Sequence, residues 1–389
     1  MTEANWIALG IFIITLVFAL LLEHWRTMIV RSLGNTVVRD TCRSLTVIVP
    51  ARDAMATLPS LLQDLYVQDI DRERFEVIVV DDHSTDGTIN AVQRMMRAWP
   101  QLKLIQLKEQ QGKKAAITAG VYEAANDLIV MTDADVRCGA GRLSTMLRSW
   151  EEHAPHLLLM PVFMRRSKGL LAALQRKEQL ALQAVAIGTA EMGAPMLAYG
   201  ANMAFSRSVF ISVGGFTNDR WASGDDMFLL YKMKRAQKKI GMVADPAASV
   251  ITAPEPDLRS ALQQRLRWAG KMRAYRDPIG GMGNVFALSL PFVLAYTSIM
   301  VIGRIEFGER SLMSFLLICC AWLLWSLPVV RLVRAAQSIS DRAQGDPPSG
   351  TGMLSGLSTI GALIAFSIYA PIIFLISIFV RPMWKGRRI

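Results

Sequence analysis

Apolar positions in this chain fall into two kinds of run, and the difference divides the sequence. At the ends the runs are long and uncharged. Trp6 to Leu22 carries no charge, and toward the C-terminus Asn284–Gly303, Ser311–Val330 and Met353–Val380 are each long enough to span a bilayer. Between them the runs shorten to Leu45–Pro50, Phe75–Asp82, Leu102–Leu107, Asp127–Asp135 and Leu157–Phe163. Short continuous apolar runs bounded by turn residues predict buried parallel strands. The stretches Leu58–Gln68, Thr88–Trp99 and Lys113–Ala125 have helical spacing, with Thr57 before Pro59 and the pair Asp86-Gly87 as start signals. The resulting βαβαβαβ order predicts an α/β fold, a doubly wound and mostly parallel sheet flanked by transmembrane helices.

Three regions follow: an anchor and basic linker at 1–43, an α/β domain at 44–283, and a membrane region with three apolar segments at 284–389. Arg26, Arg31, Arg39 and Arg43 follow the first apolar run, where only Glu3 precedes it, so the positive-inside rule puts the α/β domain in the cytoplasm. The chain is then an integral, multi-pass protein of a plasma membrane, bacterial inner membrane being the expected setting. Three further spans would leave the C-terminus outside, yet Arg381, Lys385, Arg387 and Arg388 favour the cytoplasm. Either the rule fails there or one apolar run lies in the interface.

Composition narrows the chemistry. With 52% hydrophobic and 19% charged residues, the chain is neither disordered nor fibrous. The formal charge of +11 would suit nucleic acid, but the basic residues sit mostly beside apolar spans and no aromatic-basic pattern recurs, so nucleic acid is not an expected partner. Four cysteines and four histidines show no CxxC or HExxH spacing, which argues against a zinc enzyme.

Ligands of doubly wound sheets bind beyond the carboxyl ends of the strands, so those ends carry the candidate chemistry. Here they read Pro50-Ala51-Arg52-Asp53, Asp81-Asp82-His83-Ser84 and Asp133-Ala134-Asp135. One acid after a strand is commonly a helix cap, the alternative for Asp53 or Asp86 alone. Three acidic strand ends suit a divalent cation, and Asp133 and Asp135, on one side of an extended stretch, suit Mg²⁺ or Mn²⁺ held together with a diphosphate. Gly112-Lys113-Lys114 lacks the first glycine and the Ser or Thr of a P-loop, but Lys113 at a helix start can still neutralise phosphate. Asp225 and Asp226 open the helical pattern Met227–Lys239, where a carboxylate could take a proton from an attacking hydroxyl. Gln264, Arg267 and Trp268 lie in a basic run leading to the membrane. It reads either as a surface helix meeting headgroups or as a grip for a leaving diphosphate and a sugar ring. The apolar but charge-interrupted segment Gly169–Met192 is expected either to lie against headgroups or to cover the sheet.

In order and spacing, these residues resemble the membrane-bound family 2 glycosyltransferases of GT-A fold, relatives of cellulose and hyaluronan synthases and of lipid-linked sugar transferases. The resemblance covers residues 44 to 276 and rests on Asp81-Asp82, Gly112-Lys113 with Ala116, Asp133-Ala134-Asp135, Gly200 to Phe205, Asp225-Asp226, and Gln264 with Arg267-Trp268 as QxxRW. It implies a donor pocket of Pro50, Ala51, Asp53, Asp81, Asp82, Lys113, Asp133 and Ala134, with Asp82 at the nucleotide base. It further implies Asp133 and Asp135 as metal ligands, Asp226 as the base of an inverting transfer, and Asp225, Gln264, Arg267 and Trp268 at the diphosphate or acceptor. Asp225 stands where that family often has Glu. The implied partners are a nucleotide-diphosphate sugar, a lipid or lipid-linked acceptor and the membrane. A small processive polysaccharide synthase and a non-catalytic nucleotide-sugar-binding subunit are the alternatives.

Overall fold

The computed structural model describes residues 3–32, 43–217, 224–272, 278–306, 312–350, 352–380, 383–384 and 387–388. Arg39, Cys42, Arg276, Arg381 and Lys385 lie outside them. In chain order the elements are α1 (Glu3–Ser32), β1 (Leu45–Ala51), α2 (Leu58–Tyr66), β2 (Phe75–Asp81), α3 (Thr88–Met96), β3 (Leu102–Gln106), α4 (Lys113–Glu123), β4 (Leu128–Thr132) and β5 (Val136–Cys138). There follow α5 (Arg142–His153), β6 (Leu157–Leu159), β7 (Val162–Met164), α6 (Leu170–Glu191), β8 (Asn202–Ser206), α7 (Arg207–Ser212), α8 (Asp225–Arg235), β9 (Ile240–Met242), β10 (Val250–Thr252) and α9 (Leu258–Met272). The last helices are α10 (Pro278–Glu306), α11 (Leu312–Ala343) and α12 (Met353–Phe379).

The main sheet runs β3-β2-β1-β4-β8-β6-β9. Alternation along its central strands supplies two cores. Val47, Val49, Val77 and Val79 face α2, where Leu58, Leu61, Leu62 and Leu65 recur at helical spacing, while Ile48, Ile78 and Val80 meet Ile117 and Val121 of α4 on the other face. Each such fully buried side chain contributes about 1.5–3 kcal/mol. Gly87 is the N-cap of α3 and Asp86, just before it, accepts the Thr88 amide at 2.9 Å, so the pair marks the helix start, whereas Thr57 makes no side-chain cap at α2.

The mostly parallel sheet is as expected, with two local differences. β8 enters antiparallel between β4 and β6, so the fifth predicted strand does not pair with the fourth. Leu157–Phe163 is also two strands: β6 stays in the main sheet, and β7 joins a second sheet of order β5-β10-β7. Between them, Asn202 Nδ2 donates to the Pro161 carbonyl at 2.8 Å and the Ala248 carbonyl at 2.9 Å, while its Oδ1 accepts from the buried Arg142. Satisfying these buried groups pins the two sheets at one corner.

Helices α1, α11 and α12 are long and apolar enough to cross a membrane, and within α10 the apolar part is the shorter Ser289–Gly303. Helix α6 packs Leu180, Ala184 and Ile187 among Phe18, Leu22 and Trp25 of α1 and Trp325, Val329 and Val333 of α11. It lies between sheet domain and membrane helices and touches both. A Cβ on Gly188 would come within 2.6 Å of Trp25 Cβ, so glycine is what lets α1 and α6 approach this closely.

Candidate active site

A single cavity of 1690 Å³ collects most of the sequence-predicted residues: Pro50, Ala51, Asp82, Lys113, Asp133, Ala134, Asp135, Asp225, Asp226, Gln264, Arg267 and Trp268 all line it. Asp53 and Asp81 do not. Asp53 Oδ1 accepts the Thr85 amide at 2.8 Å and Asp81 Oδ2 accepts the Ser84 amide at 3.1 Å, so both carboxylates shape the loop behind the wall. The Asp82 amide donates to the Ala51 carbonyl at 2.8 Å, which holds the ends of β1 and β2 level.

One cation organises the carboxylates. Lys113, the first residue of α4, places Nζ 2.7 Å from Asp133 Oδ1 and 3.1 Å from Asp225 Oδ2. Burial alone would lower the Lys113 pKa, but Asp133, Asp225 and Asp226 together outweigh it and hold the ammonium charged. Burial pushes the Asp133 carboxyl up, with Lys113 opposing and Asp135 and Asp225 adding to the rise. Lys114 turns away, its ammonium 4.2 Å from the Phe228 ring centroid. A Cβ on Gly200 would lie 2.5 Å from Asp225 Oδ2 and 3.1 Å from Lys113 Nζ, so a larger residue here would have to displace the Asp225 carboxylate. Asp226 starts α8, where its Oδ1 accepts the Met227 amide at 2.8 Å and its Oδ2 the Gly200 amide at 3.3 Å.

Asp133 and Asp135 sit in a turn after β4 and not in extended backbone, because the strand ends at Thr132. Both still face the cavity. Among the described residues no group of three or more His, Cys, Asp or Glu could hold a metal alone. Asp133 and Asp135 both present carboxylate oxygens to the cavity, the donor type that a hard divalent ion takes.

Helix α9 also lines the cavity. Gln264 Nε2 donates to Glu255 Oε1 at 2.8 Å, and Arg265 Nη1 donates back to Gln264 Oε1 at 2.7 Å. Burial lowers the Arg267 pKa, with Glu255 opposing. Arg265 also donates to Glu178 Oε2 at 2.7 Å, and Glu178, 2% exposed, accepts the Tyr369 hydroxyl of α12 on the same oxygen at 2.6 Å. Sequence reasoning took Glu178 only as a charge that keeps Gly169–Met192 from spanning, gave Arg265 no role inside QxxRW, and did not name Tyr369. The one available signal was the charge of Glu178 within the apolar Gly169–Met192 segment. Beyond this cluster the cavity continues between the long apolar helices, lined by Phe18, Leu22, Val185, Trp325, Val329 and Phe366.

The chain matches the profile of Glycosyl transferase family 21 over residues 10–388. Among curated proteins it is 26% identical over 250 residues to the beta-monoglucosyldiacylglycerol synthase of Synechocystis sp., covering 59% of this chain and 48% of the synthase. It is 31% identical over 99 residues to the dolichyl-phosphate beta-glucosyltransferase of Dictyostelium discoideum, covering 23% of this chain and 30% of that enzyme. The match thus spans less than half the length of either relative. Among solved structures, a mannosyltransferase from Pyrobaculum calidifontis in complex with GDP-Man and Mn²⁺ superposes with a TM-score of 0.52 at 22% identity, over 96% of this chain and 99% of that one. The shared fold is GT-A.

Proposed function

The chain belongs to glycosyl transferase family 21 and is a glycosyltransferase, and we propose that it moves a sugar from a nucleotide-diphosphate donor to a hydroxyl of a lipid or lipid-linked acceptor. The observation that carries this reading is the continuity of one cavity from Asp226 and Lys113 into the apolar space between α1, α10, α11 and α12. An acceptor with an apolar tail fits such a space, and a water-soluble sugar does not. The names of the two relatives, acting on diacylglycerol and dolichyl phosphate, agree with it.

In this reading the base lies against Asp82, and the diphosphate lies between Lys113 and the Arg267-Trp268 pair. Asp226 accepts the proton of the acceptor hydroxyl while that oxygen bonds to the anomeric carbon. The bond from that carbon to the diphosphate breaks on the opposite face, so configuration inverts and a nucleoside diphosphate leaves. A divalent cation held by Asp133 and Asp135 would offset the charge of the departing diphosphate. Lys113 supplies a fixed positive charge at the same place, and α9 covers the site. The α/β domain sits on the cytoplasmic side of a multi-pass membrane protein. Helices α1 and α11 run side by side in the same direction, Asn5 meeting Ser314 at 2.6 Å and Glu23 meeting Arg331 at 3.2 Å, so in this reading α10 carries the chain back across the bilayer between them.

The test incubates the full-length protein in lipid nanodiscs with radiolabelled UDP- and GDP-sugars and partitions the products between organic solvent and water. Label in the organic phase, lost in excess EDTA and with Asp135→Ala, supports the reading. Label only in a water-soluble polymer, or full activity in EDTA, contradicts it.

A further inference from the structure

The His83 ring stands between two acceptors. Its Nδ1 lies 3.1 Å from Asp82 Oδ1 and its Nε2 lies 3.1 Å from the Lys108 carbonyl oxygen. A carbonyl oxygen can only accept, as can an ionised carboxylate, whereas a neutral imidazole has a single N–H to give. Only the imidazolium, with a proton on each nitrogen, makes both bonds together. The backbone is set for this arrangement: His83 has φ +59°, a conformation that non-glycine residues seldom adopt and that persists where the surroundings impose it.

The two acceptors belong to different segments, the loop after β2 and the loop after β3. Asp82 follows β2, is 2% exposed and lines the cavity. Lys108 belongs to the segment between β3 and α4, which ends by delivering Lys113 to Asp133. His83 does not line the cavity and would touch no donor atom. We propose that doubly protonated His83 is a positioning residue for the donor. It aims Asp82 at the nucleotide base and ties that carboxylate to the segment that places Lys113, so that one proton sets sugar-nucleotide affinity. This rests on the reading of Asp82 and Lys113 as donor contacts.

The charged groups facing the ring are Asp82, from its own strand end, and Arg52, from the segment after β1; the segment after β3 presents the Lys108 carbonyl. That carbonyl and Asp82 raise the His83 pKa above its ordinary value, while partial burial and Arg52 oppose the rise. A raised histidine pKa means that the bridge is complete at low pH. It is lost as pH climbs through the folded-state value.

The test measures binding of UDP-glucose, UDP-GlcNAc and GDP-mannose to the full-length protein in nanodiscs with Mg²⁺, from about pH 6 to pH 8.5, a range spanning histidine titration. These donors keep the same charge across that range. The wild type should lose about fivefold in affinity toward high pH, the size of one net hydrogen bond, along a single shallow sigmoid. His83→Asn tolerates the left-handed backbone and keeps an N–H but does not titrate. It should bind with a flat profile that meets the wild type at high pH. A wild-type profile without slope, or the same slope in both proteins, overturns the proposal, as does a uniform loss in the variant at every pH. Failure of the wild type to bind any of the three overturns the donor reading and the proposal with it.

Discussion

The Tyr369 hydroxyl, on a membrane helix, donates a 2.6 Å hydrogen bond to Glu178, the carboxylate that also holds Arg265 of the QxxRW segment. The wall of the catalytic cleft and the membrane bundle thus share one buried anion. Removing the two partners should differ in cost. Tyr369→Phe deletes one donor and leaves the ion pair, so it should destabilise by about 1 kcal/mol. Glu178→Leu strands the buried Arg265 and should cost about 3–5 kcal/mol. Thermal unfolding in detergent reads both, and equal midpoints for the two variants would contradict this ordering.

What the sequence made legible is what lies close together along it. The acids after β2 and β4 are fixed by their own strands, so pattern alone placed them at one sheet edge, whereas Lys113 and Asp226 were legible only as the starts of their helices and joined the site through the resemblance. Glu178 meets Arg265 across 87 residues and Tyr369 across 191, and no local pattern encodes such contacts. The division of Leu157–Phe163 did carry a local signal, Pro161, whose missing N–H interrupts a strand ladder, but the apolar run was read through it. Asp53 and Asp81 show the converse. Their position beside a strand end was legible, but their orientation toward the loop amides was not.

Gly200→Ala should damage the site through contact alone. The new Cβ would fall 2.5 Å from Asp225 Oδ2, and Asp225 is 3% exposed with little room to retreat. Overpacking of this kind costs about 1–3 kcal/mol, and the Lys113–Asp225 spacing must change with it. Both sugar-nucleotide affinity and unfolding temperature should drop, as calorimetry of the purified variant would register. Wild-type values for both would mean that the backbone yields freely here.

Asp226→Asn keeps the side-chain shape and an acceptor for the Met227 amide while removing the base. Turnover should fall by about a hundredfold or more with donor affinity retained. Steady-state rates beside equilibrium donor binding separate the two effects. An affinity that collapses as far as turnover would make Asp226 a binding residue.

Stability should depend on pH through Glu191, the last residue of α6. Burial pushes its pKa up to about 7 against a smaller opposing effect of Ser32, and the carboxyl end of a helix also disfavours a negative charge. The unfolded chain gives up this proton near 4.5, whereas the folded protein keeps it until about 7. Stability should therefore fall as pH rises between those values and level off above them, by about 1–3 kcal/mol in all. Unfolding midpoints followed from about pH 5 to 8 should lose this slope in Glu191→Gln. The same slope in both proteins would assign it elsewhere.

The central claim is that the donor cleft and the apolar space between the membrane helices form one site for a lipid acceptor. Ala181 of α6 lines that space, so Ala181→Trp should fill part of it. The most direct test compares transfer of labelled sugar to lipid with equilibrium binding of the sugar nucleotide, wild type against Ala181→Trp, in the same nanodiscs. The account predicts that transfer falls at least about tenfold, the cost of a lost near-attack position, while donor affinity stays within about twofold. Lipid glycosylation at the wild-type rate, with donor binding intact, would contradict it.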